Sequence, residues 1–164
     1  MSDEIDRMLQ QAFDFADEEN YDDAINLYNL ALKKDPENIN ALIDKGVTLQ
    51  NMGRIKQAIR TYDKALLISP KSLDALLNKG AALHTNQKYL DAIECYDAAL
   101  KIDKKCAMAL AYKGLSLGEM GKLSDALKLF KKALSIDKHF DLAHISKQIA
   151  QDLLKSIKEK SKTQ

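Results

Sequence analysis

Three histidines, His84, His139 and His144, and two cysteines, Cys95 and Cys106, are the side chains of this chain best suited to bind a metal or to act as base and nucleophile. Their spacing does not assemble a site. His139 and His144 are five residues apart, which does not place two side chains on one helical face, and His84 belongs to a different segment. Cys95 adjoins Tyr96 in an apolar-periodic stretch, where a small buried thiol is the common role, and Cys106 falls between two such stretches. Two thiols are too few for a disulfide framework in a chain of this length. Carboxylates cluster at Asp17-Glu18-Glu19 and Asp22-Asp23, around a helix break, where negative charge complements a helix N-terminus. No Gly-x-Gly-x-x-Gly or Walker-type loop is present. The sequence therefore carries no catalytic constellation; neither a metal nor a cofactor is expected, and the protein is not expected to be an enzyme.

Composition narrows the partners. With 25 Lys+Arg against 24 Asp+Glu and 46% apolar residues, the 164-residue chain is too apolar for a disordered tail and too neutral to be drawn to polyanions as a whole. No apolar run approaches the roughly 18 residues of a membrane span. Neither nucleic acid nor a membrane is an expected partner. The acidic start, Met1-Ser2-Asp3-Glu4, is unlike a secretory signal, so a cytoplasmic location is expected. Charge is nonetheless uneven: residues 1–38 hold eleven acids and three bases, a balance of −8, and residues 39–164 balance at +9. The two ends of different copies could attract each other.

The elements that carry these residues repeat every 34 positions. Gly46, Gly80 and Gly114 keep that step, as do Ala24, Ala58, Ala92 and Ala126, the aromatics Tyr28, Tyr62, Tyr96 and Phe130, and Ala31, Ala65, Ala99 and Ala133. The units in register are 5–38, 39–72, 73–106 and 107–140. Each holds two amphipathic stripes; in the second unit these are Leu42, Leu49 and Met52, then Ala58, Tyr62, Ala65 and Leu66. Two helices per unit follow, broken at Met52-Gly53-Arg54, Asn86-Gln87-Lys88 and Met120-Gly121-Lys122. Pro36 and Pro70 end the units, and Asn38 or Ser72 can cap the next helix. Cys106 and Phe140 take that cap position later, so those junctions are expected to be weaker. Gly46 with Ala58 and Ala65 is expected to allow close helix approach, with Tyr62 filling space between one unit and the next.

No unit buries both faces alone, so an all-α solenoid of four stacked helix pairs is expected, completed by a capping helix over about 141–157. His144, Lys147, Gln148 and Gln151 would leave the cap's outer face to water, and a basic tail over 158–164 is expected to fray. One domain of 1–164 accounts for the chain.

Leu42, Gly46, Leu49, Ala58, Tyr62, Ala65 and Pro70, repeated in register, resemble the signature of the tetratricopeptide repeat family over residues 5 to about 157. Ala12 and Glu19 replace two glycines in the first unit, and Gln11, Lys45, Lys79 and Lys113 stand where the family prefers an apolar residue. The resemblance implies a right-handed superhelix whose first helices line a concave groove for a peptide or helix of a partner protein.

In that family the fifth and ninth residues of each unit line the groove. Here they are Leu9 and Phe13, Ile43 and Val47, Leu77 and Ala81, Ala111 and Leu115, then Ile145 and Ile149 in the cap, all apolar. Beside them come Ala16 and Asp17, Gln50 and Asn51, His84 and Thr85, Gly118 and Glu119, and Asp152 and Leu153. An apolar floor with a polar rim is the anatomy of a protein-binding surface. Six such side chains at roughly 2 kcal/mol each, less the cost of association, correspond to about micromolar affinity. The carboxylate clamp of a chaperone-binding subgroup is not reproduced, because its places fall on Leu9, Phe13, Leu77 and Ala81.

The function expected is a noncatalytic adaptor, scaffold or assembly factor that binds a peptide or amphipathic helix in an apolar groove. Self-association into a homo-oligomer, through opposite charges or through the groove, is the structural alternative. RNA binding by helical repeats is a further alternative that lacks a basic groove.

Overall fold

Each repeat builds two helices because its apolar residues recur at helical spacing and its boundaries carry their own stops. The computed structural model describes residues 2–161. Among them are nine helices: α1 (Ser2–Asp17), α2 (Tyr21–Lys34), α3 (Ile39–Asn51), α4 (Ile55–Ile68), α5 (Leu73–Thr85), α6 (Tyr89–Ile102), α7 (Ala107–Glu119), α8 (Leu123–Ile136) and α9 (Asp141–Lys160). The protein is all-α. Asn38 and Ser72 cap α3 and α5 as expected, accepting from the amides of Ala41 at 3.0 Å and Ala75 at 3.3 Å. Cys106 caps α7 by the same geometry, its Sγ accepting from Ala109 N at 3.4 Å, so a thiol keeps the cap where a weak junction is expected. Phe140 supplies no side-chain cap to α9.

The chain divides into two compact units in the turn between α5 and α6, after Asn86. In the first unit α1 packs on α2 and α3 on α4, while α1 also meets α3 and α3 meets α5. Its core joins Leu42, Ile43, Leu49, Ala58, Tyr62, Ala65, Ala75 and Ala82, with a smaller cluster of Ala12, Ala24 and Tyr28. In the second unit α7 packs on α6 and α8, and α9 on α8 and α7, around Leu110, Ala111, Ala126, Phe130, Ala133, Ala143 and Ala150.

The repeated glycines have a packing reason that differs in detail from the expectation. A Cβ on Gly46 would stand 2.7 Å from Cζ of Tyr62, and one on Gly114 would stand 2.6 Å from Cε1 of Phe130. In these two repeats the aromatic ring of the second helix therefore lies directly on the glycine of its own first helix, and Tyr62 also fills space toward the next repeat. Tyr62 is fixed there by its hydroxyl, which donates to Gln50 Oε1 at 2.5 Å.

The interhelix turns adopt left-handed backbone at Gly53 and Gly121, and also at Glu19 and Gln87, with φ of 62° and 60°. A side chain there costs about 1–2 kcal/mol, which glycine avoids at a smaller entropic cost. Glu19→Gly is expected to stabilise the protein by about 0.5–1 kcal/mol, read as a higher urea midpoint.

The capping helix buries Ala143, Ser146 and Ala150. His144, Gln148 and Gln151 are exposed and Lys147 is half-buried; His144 Nε2 lies 2.8 Å from the Lys138 carbonyl. α9 continues to Lys160, beyond the expected end near 157, and residues 162–164 of the basic tail lie outside the described residues.

Candidate functional site

In the first unit Phe13 and Val47 line one cleft, and in the second Leu115 and Ile149 line another, while the fifth and ninth residues of the first helices differ in depth. Ile43, Leu77 and Ala111 are buried, Ile43 and Ala111 within the cores of their units. Leu9, Ala81 and Leu115 are half-buried. The large apolar side chains left to solvent are Phe13, Val47, Ile145 and Ile149, of which Phe13 is 56% and Ile145 60% exposed. A charge placed at Ile43 or Leu77 therefore strikes folding before binding; Phe13 and Val47 are the positions that probe a surface. Of the polar neighbours, Asn51, Thr85 and Glu119 are exposed, while Gln50 and His84 are half-buried. Gln50 is turned to structural use by its hydrogen bond from Tyr62, and Thr85 Oγ1 donates to the Ala81 carbonyl at 3.0 Å.

In the first unit a cleft of about 150 Å³ opens between α1 and α3, with Phe13 and Val47 on its apolar side and Asp17, Asp44 and Asn51 on its polar side. Tyr28 and Thr48 also line it. Burial holds the Asp44 carboxyl above its ordinary value, so this side chain carries its charge at a desolvation cost. The Tyr28 hydroxyl is pushed up to about 12 by burial and then by the Asp44 charge, against a hydrogen bond with Thr48. The arrangement suits an apolar side chain next to a basic one, since a cation beside Asp44 would restore the interactions that water no longer supplies.

The second unit has its own cleft, of about 360 Å³, where α7 and α9 flank α8. Leu115, Ile149 and Leu153 make its apolar walls, Phe130 and Ala126 its floor, and Glu119 its acidic edge. The sequence expectation included Leu115, Glu119 and Ile149. It missed the floor, because Phe130 and Ala126 belong to a second helix and fall in the core stripe of the repeat.

Asp44 yields a pH dependence. Its folded pKa is raised, so the folded state binds the proton more tightly than the unfolded state. Stability contributed this way is present below the ordinary carboxyl value of 3.8 and is lost as pH rises through the folded value. Asp44→Asn is therefore expected to raise the thermal midpoint at neutral pH, and the gain over the wild type should vanish in acid below that ordinary value.

Among the described residues, no group of three or more His, Cys, Asp and Glu side chains could hold a metal ion. No helix among them is long and apolar enough to cross a membrane.

Paired helices with small residues at the seams, repeated at a fixed step, define a helical-repeat protein-interaction fold. The tetratricopeptide repeat models match residues 15–71, 73–106 and 109–140, and the chain belongs to that family, which is generally a noncatalytic interaction fold. A crystal structure of MamA is similar at 25% identity and a TM-score of 0.79, covering 93% of this chain and 83% of that one. A MamA fragment from Desulfovibrio magneticus RS-1 is 19% identical, with a TM-score of 0.75 over 99% of this chain and 97% of that one. YrrB, a TPR protein described as having an unusual peptide-binding site, is 21% identical, with a TM-score of 0.75 over 84% of this chain and 71% of its own. No curated protein matches the chain.

Proposed function

We propose that this protein is a noncatalytic adaptor that takes a short peptide or amphipathic helix of a partner protein by apolar anchors, one of them followed by a basic residue. The observation that carries the reading is the first-unit cleft, where exposed Phe13 and Val47 stand beside the desolvated Asp44. An apolar anchor removes Phe13 and Val47 from water, at about 25 cal/mol per Å² buried. A lysine or arginine at its side compensates Asp44 and excludes acidic segments by repulsion, which gives the cleft a preference as well as an affinity. The second unit has its own larger apolar cleft, with Leu115, Ile149 and Leu153, which can take an apolar anchor by itself. Affinity near micromolar is expected from a few anchors set against the cost of association.

Selection from a random peptide library tests this. The expected peptides carry a large apolar residue next to Lys or Arg, and lose binding to Phe13→Glu. Selected peptides that are acidic, or that bind Phe13→Glu and Val47→Glu as well as the wild type, would contradict it.

A further inference from the structure

Where each first helix meets the preceding second helix, a lysine recurs at the seventh position of the repeat: Lys45, Lys79 and Lys113. Lys79 pairs with Asp63 at 2.7 Å and Lys113 with Asp97 at 2.5 Å, in each case the residue sixteen positions earlier. Sixteen before Lys45 stands Asn29, and Lys45 Nζ donates to Asn29 Oδ1 at 2.6 Å. The hydrogen bond is kept and the negative charge is missing. Burial, and then the charge of Lys64, holds the Lys45 ammonium below its ordinary value, the direction expected of a cation without a counter-charge.

Lys45 lies in a cleft of about 300 Å³ in the first unit, between α2 and α4, on a different face of α3 from the Phe13 cleft. Arg54, Arg60 and Lys64 line it together with Asn29 and Gln57, and no carboxylate is among its lining residues. Arg54 has one distant partner, Asp22 at 3.7 Å, whose side chain is largely in solvent. Among the described residues, Arg60 and Lys64 form no salt bridge. Four cations thus line one concavity, and of these only Arg54 has a carboxylate partner among the described residues, so most of their mutual repulsion is left uncompensated.

We propose that this cleft binds a small, multiply charged oxyanion of the phosphate class, held by the Lys45 and Lys64 ammoniums and the Arg60 guanidinium. A single carboxylate brings one charge to four cations, whereas a phosphate or diphosphate brings two or more. The guanidinium fork and the ammonium point charges match its oxygens. Asn29 keeps its amide protons available after accepting from Lys45, and Gln57 adds a further amide.

The test is a titration of the full chain with inorganic pyrophosphate at constant ionic strength, followed by calorimetry and by amide NMR shifts. Saturable binding is expected, with shifts centred on Lys45, Arg60 and Lys64. Lys64→Gln should bind about tenfold more weakly or worse. Asn29→Asp, which installs the carboxylate that Asp63 and Asp97 supply elsewhere, should lose affinity to a similar degree while raising the unfolding temperature of the ligand-free protein. Non-saturating or scattered shifts overturn the proposal, as does undiminished affinity in Asn29→Asp. So does concentration-dependent self-association, without pyrophosphate, that Asn29→Asp abolishes: that result assigns the cleft to an acidic polypeptide segment.

Discussion

Gly46→Ala is expected to destabilise the protein by about 2 kcal/mol, although alanine is the better helix former by up to about 1 kcal/mol in an open helix. The added Cβ would stand within 3 Å of three atoms of the Tyr62 ring. That ring is fully buried and its hydroxyl is committed to Gln50, so it cannot swing aside without losing both packing and a hydrogen bond. Steric cost therefore exceeds propensity. Gly118, in α7, supplies the contrasting sign: a Cβ there meets nothing within 4 Å, and Gly118→Ala should stabilise by a few tenths up to about 1 kcal/mol. Urea unfolding of the two variants, followed by helix signal, should move the midpoint in opposite directions. Equal shifts of one sign would show that propensity alone governs both glycines.

Phe130→Ala should cost about 4 kcal/mol, in the upper part of the range for deleting a buried aromatic ring. The ring sits among Ala111, Ala126, Ala133, Ala143 and Ala150, with Leu110 beside it. The buried alanines have no side-chain freedom with which to fill the vacated volume, so only the partly buried leucines around them, Leu115, Leu127 and Leu134 among them, can relax into it and most of the cavity persists. The same contact predicts non-additivity. Gly114→Ala places its Cβ against this ring, so it should be costly in the wild type and nearly neutral once Phe130→Leu has removed the ring edge, a coupling of about 1–2 kcal/mol. Additive effects would show that Gly114 and Phe130 do not share the space.

Much of this was legible in the sequence. The 34-residue step fixes two helices per unit, and the turns at Met52-Gly53 and Met120-Gly121 fall where Gly53 and Gly121 take positive φ. Glu19 and Gln87, at the equivalent places, adopt the same backbone without glycine, because closure of the helix pair imposes it. Helical spacing does not give depth. Periodicity places Ile43 and Phe13 on equivalent helix faces, yet Ile43 joins the first-unit core and Phe13 stays exposed. Depth depends on how much neighbouring helices cover a position, which helical spacing alone does not state. The Lys79–Asp63 and Lys113–Asp97 pairs had a signal, a lysine and an aspartate sixteen apart in two repeats with Asn29 as the exception. Within one helix a sixteen-residue separation carries no meaning; it becomes a contact only after the chain turns back on itself.

Whether the Phe13 cleft between α1 and α3 receives a partner polypeptide is decided by site-specific photo-crosslinking. A photoreactive phenylalanine analogue replaces Phe13 in one preparation and Leu67, an 82% exposed residue of α4, in another. Both are irradiated in native extract and the crosslinked peptides are sequenced. The Phe13 probe is expected to capture a polypeptide through an apolar segment bearing a lysine or arginine, and the Leu67 probe is not. Capture through Leu67 with none through Phe13 would place the working surface elsewhere and contradict that expectation.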